Sequence, residues 1–546
     1  MKSNKKTIVL SVIAIATFML LLIGATYAYF TAQGGSPTSA NLNVTTYTTD
    51  VFTFTTGSDI NIYADQSTFA SGKGNATGST FARASLTANN KTNTATENYN
   101  VYFNISDNNF KYSVNTSTPE LLLTIKDADN NEVTSITGLE HKTVTDGKGT
   151  SISGFDITTK NGLIPLLSNK EISANPKTEE KWNVTITFVN YNLDQSKNAG
   201  KDFTAKLMIQ KEKMAQFLSE VCSNGSNLAN CITTLSQKSV SNATKIYYHD
   251  SNLQNGARDN SYRYAGPSEE VNNFICFGST TSPCPTDNLY RIIGVFGESY
   301  HGVSGQQLVK LIKYDYMTTD ELGTDGDYFQ TYKEWDPPLS SYKGTYGDGE
   351  RIGVYRWNYK ADTTINNGWG SNTWSTSLFN KTNLNINFIN YLGTEWSNKI
   401  ATTYWKVGGN TGANIGKIPS ITYQNEITNP DATNTTDNAT TYNAKIGLMY
   451  VSDYGFAANP SAWTSNMYDY FQEDMPSINW MHMGIYEWTI SRRSDNSYNV
   501  SYVSPVGHLP GGHASSFLAG RASFNLLSSI TYKSGMGSIS DPIVIN

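Results

Sequence analysis

The sequence predicts a multidomain chain, an all-β antiparallel sandwich followed by a mixed α+β domain. Two observations carry this. Apolar and polar residues alternate with period two through much of residues 29–210, and no long helical pattern intrudes. Beyond about residue 245 the composition changes. Nine of the ten Trp lie at or after Trp335, against Trp182 alone before it, so the two halves bury different cores.

The N-terminus reads as an export signal over residues 1–28. Lys2, Lys5 and Lys6 form a basic start, Thr7–Ile23 is an uncharged apolar run, and Gly24–Ala28 supplies small residues before a cut after Ala28. The apolar run is shorter than the roughly 20 residues that span a bilayer, which favours cleavage over anchoring. The membrane is therefore a partner only through this segment, and only if it stays uncleaved. Charged residues are 16% of the chain, the net charge is -6 and no basic cluster occurs, so nucleic acid is excluded as a partner.

Residues 29–210 form the β-sandwich domain. Val101, Phe103 and Ile105 make one strand, Trp182, Val184, Ile186 and Phe188 another, and Phe203, Ala205, Leu207 and Ile209 a third, each expected to be half buried. Turns fall at Asp129-Asn130-Asn131, Asp146–Gly149 and Asn161-Gly162. Asp127–Glu132 has some acidic residues of a calcium loop but lacks its Gly and its distant Glu, and a hairpin turn is the better reading. His141 is read as an exposed loop residue.

Residues 211–245 read as a helical linker. Met214, Phe217, Leu218 and Val221 share one face of a helix over Lys211–Val221. The four cysteines, Cys222, Cys231, Cys276 and Cys284, fit an oxidising compartment. Of three connectivities, Cys222–Cys231 with Cys276–Cys284 is the simplest. The spacings are too wide for a zinc knuckle, and no metal or other cofactor is expected.

Residues 246–546 form the α+β domain. Tyr290–Phe296 and Leu308–Lys313 predict a hairpin. Leu384, Phe388, Leu392, Trp396 and Ile400 predict helix within Trp374–Trp405. Ile446–Gly455 is apolar and then turns, and Ser538–Ile545 has the pattern of a closing strand.

Two resemblances follow. Gly24-Ala25-Thr26-Tyr27-Ala28-Tyr29-Phe30-Thr31-Ala32 resembles the signal region of the camelysin and biofilm-fibre family of Gram-positive bacteria. That likeness implies a dedicated signal peptidase, a β-sandwich and self-assembly by strand exchange through the first domain. The family's early Gly-x-Leu-x-Leu is replaced here by Ala40-Asn41-Leu42-Asn43-Val44, a departure that bears on fibre formation more than on fold. The metalloprotease activity discussed for that family lacks its His-Glu-x-x-His pair here. The second half, from Asp287–Phe296 to Ser540–Ile545, is similar in motif order to exported proteins of gut Firmicutes whose last domain is C-type-lectin-like, of the kind seen in formylglycine-generating enzyme. Gly484-Ile485-Tyr486-Glu487-Trp488 resembles the core motif of that superfamily, and Gly520-Arg521 with Phe524 its closing segment. These residues read as structural, with Trp488 in the core and Glu487 paired to Arg521 or Arg492.

No Cys follows Cys284, so the oxidase chemistry of the formylglycine-generating relatives is not expected. No nucleophile elbow or phosphate loop occurs either. The candidate ligand face is Ser497–Ser516. Tyr498, Val500 and Tyr502 alternate with Asn499 and Ser501 as a strand with one wet face, and a Pro- and Gly-broken loop carries exposed His508 and His513. Tyr, Ser, Asn and His on a rigid frame suit adaptable recognition. The candidate contact residues are Tyr498, Asn499, Ser501, Tyr502, His508 and His513. The expected function is a secreted or cell-surface binding protein of a Gram-positive bacterium, adhesin- or receptor-like, with a host or bacterial surface glycan or protein as partner. The alternatives are a minor structural subunit of an extracellular biofilm fibre and a surface hydrolase that would need His482, His508 and His513.

Overall fold

The computed structural model describes residues 50–546 except 65–67, 69–72, 90–93, 212, 298–300, 302–304, 325–328, 332–341, 347–350, 360–367, 430–439 and 471–477. The export signal and the 40–44 motif lie outside the described residues. The described chain is mostly β, with several antiparallel sheets in two compact units. One unit takes in Met1–Phe103, Asp107–Thr159 and Pro165–Lys211; the other takes in Asn104–Ser106, Lys160–Ile164 and Glu212–Asn546.

In the first unit the strands are β1 (Val51–Thr56), β2 (Ile60–Tyr63), β3 (Ala76–Thr87), β4 (Ala95–Asn108), β5 (Leu121–Lys126), β6 (His141–Thr145), β7 (Ser151–Asp156), β8 (Gly162–Ala174), β9 (Lys177–Phe188) and β10 (Asp202–Gln210). They make a six-stranded sheet, β1-β3-β9-β5-β7-β6, and a four-stranded sheet, β2-β10-β4-β8. The sheets meet face to face, because a Cβ on Gly78 of β3 would lie 2.7 Å from Ile60 Cγ2 of β2. Alternation explains most of this. In β10, Phe203, Ala205 and Leu207 are buried between half-buried neighbours, and in β9 Val184, Ile186 and Phe188 are buried. The middle of β4 departs from the pattern, since residues 99–105 are buried on both faces, Asn100 and Asn104 included. Asp127 Oδ1 accepts from the Asp129 and Asn131 N–H groups, a side-chain-closed turn. His141 is not in a loop. It opens edge strand β6, its ring edge-on to Phe155 and its Nε2 3.3 Å from Glu132.

The second unit holds a seven-stranded and a six-stranded sheet. The first runs Ile246–Tyr248, Tyr262–Tyr264, Leu289–Phe296, Leu308–Lys313, Ser523–Asn525, Ile446–Gly447, with Phe274–Cys276 also on Leu289–Phe296. The second runs Phe329–Thr331, Gly353–Arg356, Phe517–Ala519, Glu487–Arg492, Asn499–Val503, Gly511–His513. The hairpin expected at 290–313 is present, and its strands are buried on both faces. The richness in Trp fills this core: Trp357, Trp374, Trp463, Trp480 and Trp488 are fully buried.

The sequence expectations need two corrections in this unit. Lys211–Val221 is not a helix; only Leu218–Glu220 makes a single turn. The Glu220 carboxylate accepts from the Gln216 and Phe217 N–H groups, a local closure that competes with helix extension. The α-helix lies later, at Leu228–Gln237, started by Asn227 Oδ1 accepting from Asn230 N–H and burying Leu228, Cys231, Ile232 and Leu235. Ala215, Leu218 and these residues belong to the core of the second unit, so this stretch is domain rather than linker. The helix expected within Trp374–Trp405 is present. Wide helical turns over Phe379–Phe388 pass into Ile389–Ser397, Trp405 lies in the strand Thr403–Lys406, and Leu384, Phe388, Leu392, Trp396 and Ile400 are all buried as their spacing implies. Of Ser538–Ile545, only Val544–Ile545 is strand, paired with Tyr532–Ser534.

Candidate functional site

The frame around Ser497–Ser516 is built from the two motifs that flank it. Gly484 sits at φ +93, in the left-handed region, and turns the chain into Glu487–Arg492. A Cβ on Gly520 would lie 2.8 Å from the Phe379 ring, so only Gly fits there. Trp488 is wholly buried and donates from Nε1 to the Tyr355 carbonyl at 2.8 Å. Glu487 takes Arg521 rather than Arg492, in a two-pronged pair at 2.7 and 3.0 Å. Arg521 also donates to the Met481 and Tyr314 carbonyls. Arg492 instead donates to the Val407 and Arg493 carbonyls.

The predicted contact residues divide. Ser501 is wholly buried, its Oγ without a hydrogen-bond partner among the described residues, and so faces no ligand. The Asn499 Oδ1 is enclosed in the same way. Tyr502 leans edge-on to Tyr486 and Trp488, and burial raises its phenol pKa. The expected wet face is therefore largely covered. Asn499–Val503 is an interior strand, paired on both edges, and a strand in that place has little water beside it. His508 is half-buried, and its Nδ1 lies 3.0 Å from Ser504 Oγ. His482 is buried, with Nε2 3.0 Å from the Pro505 carbonyl and its pKa lowered to about 4 by burial. These two imidazoles and His513 thus have separate partners.

Tyr498 and His513 are half-buried and share a surface cluster with Trp369, a residue that sequence reasoning missed. Trp369 is 36% exposed. Its ring stacks on His513 at 4.7 Å and lies 4.7 Å from Tyr498, while Tyr498 and His513 meet edge to face at 5.7 Å. The Ser515 N–H donates to the Trp369 carbonyl, and Asn372 Nδ2 donates to the Arg493, Asn496 and Asn499 carbonyls, so backbone bonds hold the two segments together. The signal was present in Asn366-Asn367-Gly368-Trp369-Gly370-Ser371-Asn372, a lone Trp between two Gly in a polar run.

Disulfides join Cys222 to Cys231 and Cys276 to Cys284, the nearest-neighbour pairing, and fit an oxidising compartment. No helix among the described residues is long and apolar enough to cross a membrane.

No protein-family model matches the chain, and no curated protein does. Among solved structures, a structure of infectious bursal disease virus Gx strain aligns with 13% identity and a TM-score of 0.10, over 33% of this chain and 41% of the viral one. That likeness is too slight to bear on fold or function.

Proposed function

We propose that this chain is an exported surface binding protein whose second unit is a C-type-lectin-like domain that takes a surface glycan at Trp369, Tyr498 and His513. The observation that carries the reading is the three-ring cluster, with Trp369 partly exposed. Such rings offer a flat apolar surface with polar edges, which suits the C–H face of a sugar. The frame supports it: Glu487 and Arg521 are buried and paired with each other, and buried Trp488 donates to the Tyr355 carbonyl, so the cluster stands on a rigid base. The disulfides support export, and the likeness of the signal and of the motif order supports the surface of a Gram-positive cell. The test is a glycan array probed with the full chain and with Trp369→Ala. Binding to a defined glycan class that is lost in the variant is expected. A blank array, or binding unaffected by the substitution, would overturn the reading.

A second reading, the fibre subunit, has one observation in its favour. β1, with the sequence Val-Phe-Thr-Phe-Thr-Thr, is an uncharged strand at the end of its sheet among the described residues, a strand type that accepts a neighbour from another chain. Electron microscopy of the purified full chain tests it, and a strict monomer under all assembly conditions would count against a fibre.

A further inference from the structure

Lys310 is set in a place where an ammonium group is poorly served. It lies in the strand Leu308–Lys313, fully buried. Its Nζ is 4.5 Å from the centre of the Tyr450 ring, 5.2 Å from Trp405 and 5.8 Å from Phe296. A lysine ammonium has three protons to donate. Among the described residues its one hydrogen-bond acceptor is Asp453 Oδ2, at 2.5 Å. Lys313 on the same strand likewise makes one hydrogen bond, to the Asp287 carbonyl at 2.9 Å, with Glu321 Oε1 3.1 Å away.

The surroundings of Asp453 complete the arrangement. Its carboxyl is buried, Oδ2 also accepts from the Tyr450 N–H at 3.0 Å, and Oδ1 lies 3.7 Å from Arg263 Nη1. Arg263 is held chiefly by Asp259, at 2.6 Å. Glu426 closes the same turn: it accepts from the Val451 and Ser452 N–H groups, immediately before Asp453, and from Ser491 Oγ. Burial raises the Glu426 carboxyl to about 7 and lowers the Lys310 amine from its ordinary value. Beside Lys310 is a recess of about 10 Å³, close to the room one water needs, lined by Lys310, Tyr450, Trp405, Asn525 and, at its exposed side, Tyr404.

We propose that Lys310 and Asp453 join in an intramolecular amide bond. The ammonium first passes a proton to Asp453 Oδ2, leaving a neutral amine and a neutral carboxylic acid. The Nζ lone pair then forms a bond to Asp453 Cγ. The oxyanion that builds on Oδ1 faces Arg263. The nitrogen loses a second proton, which passes to the departing hydroxyl. The Cγ–Oδ2 bond breaks, one water leaves, and an N–H amide remains. No oxidant, reductant or activated co-reactant is needed.

The test is the intact mass of the purified full chain, compared with the mass calculated for the same N-terminus with two disulfides. A species lighter by one water is expected. Its tryptic digest should yield a joined peptide linking residues 292–313 to 446–492, uncut after Lys310. Lys310→Arg should show the unreacted mass. Asp453→Asn should link with loss of ammonia and reach the same linked mass as the parent. A parent chain at the unreacted mass, with the two peptides separate, overturns the proposal without reference to any variant.

Discussion

Arg521 and Lys310 are both buried cations of the second unit, and their surroundings treat them differently. Arg521 makes four hydrogen bonds, two to Glu487 and two to carbonyls, so its planar fork is almost fully matched. Lys310 has one carboxylate and three rings. A satisfied buried pair is inert and defines the fold around it, whereas an under-satisfied pair keeps chemical potential for proton transfer. The two sites show that burial of charge is not one phenomenon. What matters is how many donors find acceptors once water is removed.

The largest expected effect separates the two cases directly. Lys310→Arg keeps the charge but cannot form an amide. With 143 positions between Lys310 and Asp453, losing the cross-link should cost about 5 kcal/mol in the chain-entropy model. Denaturant unfolding measures it, and a loss of only about 1–3 kcal/mol, the scale of overpacking alone, would place Lys310 beside Arg521 as a plain ion pair.

Arg521→Met comes next. It leaves Glu487 buried without its partner, and a loss of roughly 3–5 kcal/mol is expected in the same measurement. A loss below about 1 kcal/mol would mean that the Glu487–Arg521 frame does not hold the second unit together.

A smaller effect concerns pH. The folded state holds His482 neutral with its pKa at about 4, below the ordinary 6.5. Between these values the unfolded chain binds a proton that the folded chain does not. The contribution of His482 is therefore complete above the unfolded pKa and is lost as pH falls towards the folded one. It amounts to roughly 2 kcal/mol between pH 6.5 and about pH 5. Stability curves of the parent and His482→Gln should converge as the pH is lowered through that range. Parallel curves would refute the assignment.

The smallest effect on stability belongs to Trp369→Ala, about 1 kcal/mol or less, because the ring is partly in water. Its effect on glycan binding should be the larger one, about tenfold in Kd, or ~1.4 kcal/mol, by titration calorimetry. Equal loss of stability and binding would make the cluster a packing feature.

Much of the fold was legible because periodicity is local. The alternation in β9 and β10 and the 290–313 hairpin need only neighbouring residues to be seen. Lys211–Val221 misled because helical spacing says which residues are apolar, not whether a side chain such as Glu220 will claim the backbone first. At the candidate site, Tyr498 and His513 were legible as recognition types, though both are half-buried. Ser501 was misplaced because its burial depends on strands paired from both sides. Trp369 was missed because its partners lie more than a hundred residues away.

The sequence by itself determined the local order: where strands alternate, where turns break them, and that each cysteine has a near neighbour to pair with. Only the tertiary structure decided which distant groups share a dry place. Lys310 meets Asp453, Glu487 chooses Arg521 over Arg492, and Trp369 joins His513, in each case through strands or turns brought together from far apart in the chain. Local pattern follows from chain geometry, which any short window of sequence contains. The worth of a charge or a ring depends on what else has been removed from water around it, which no window contains.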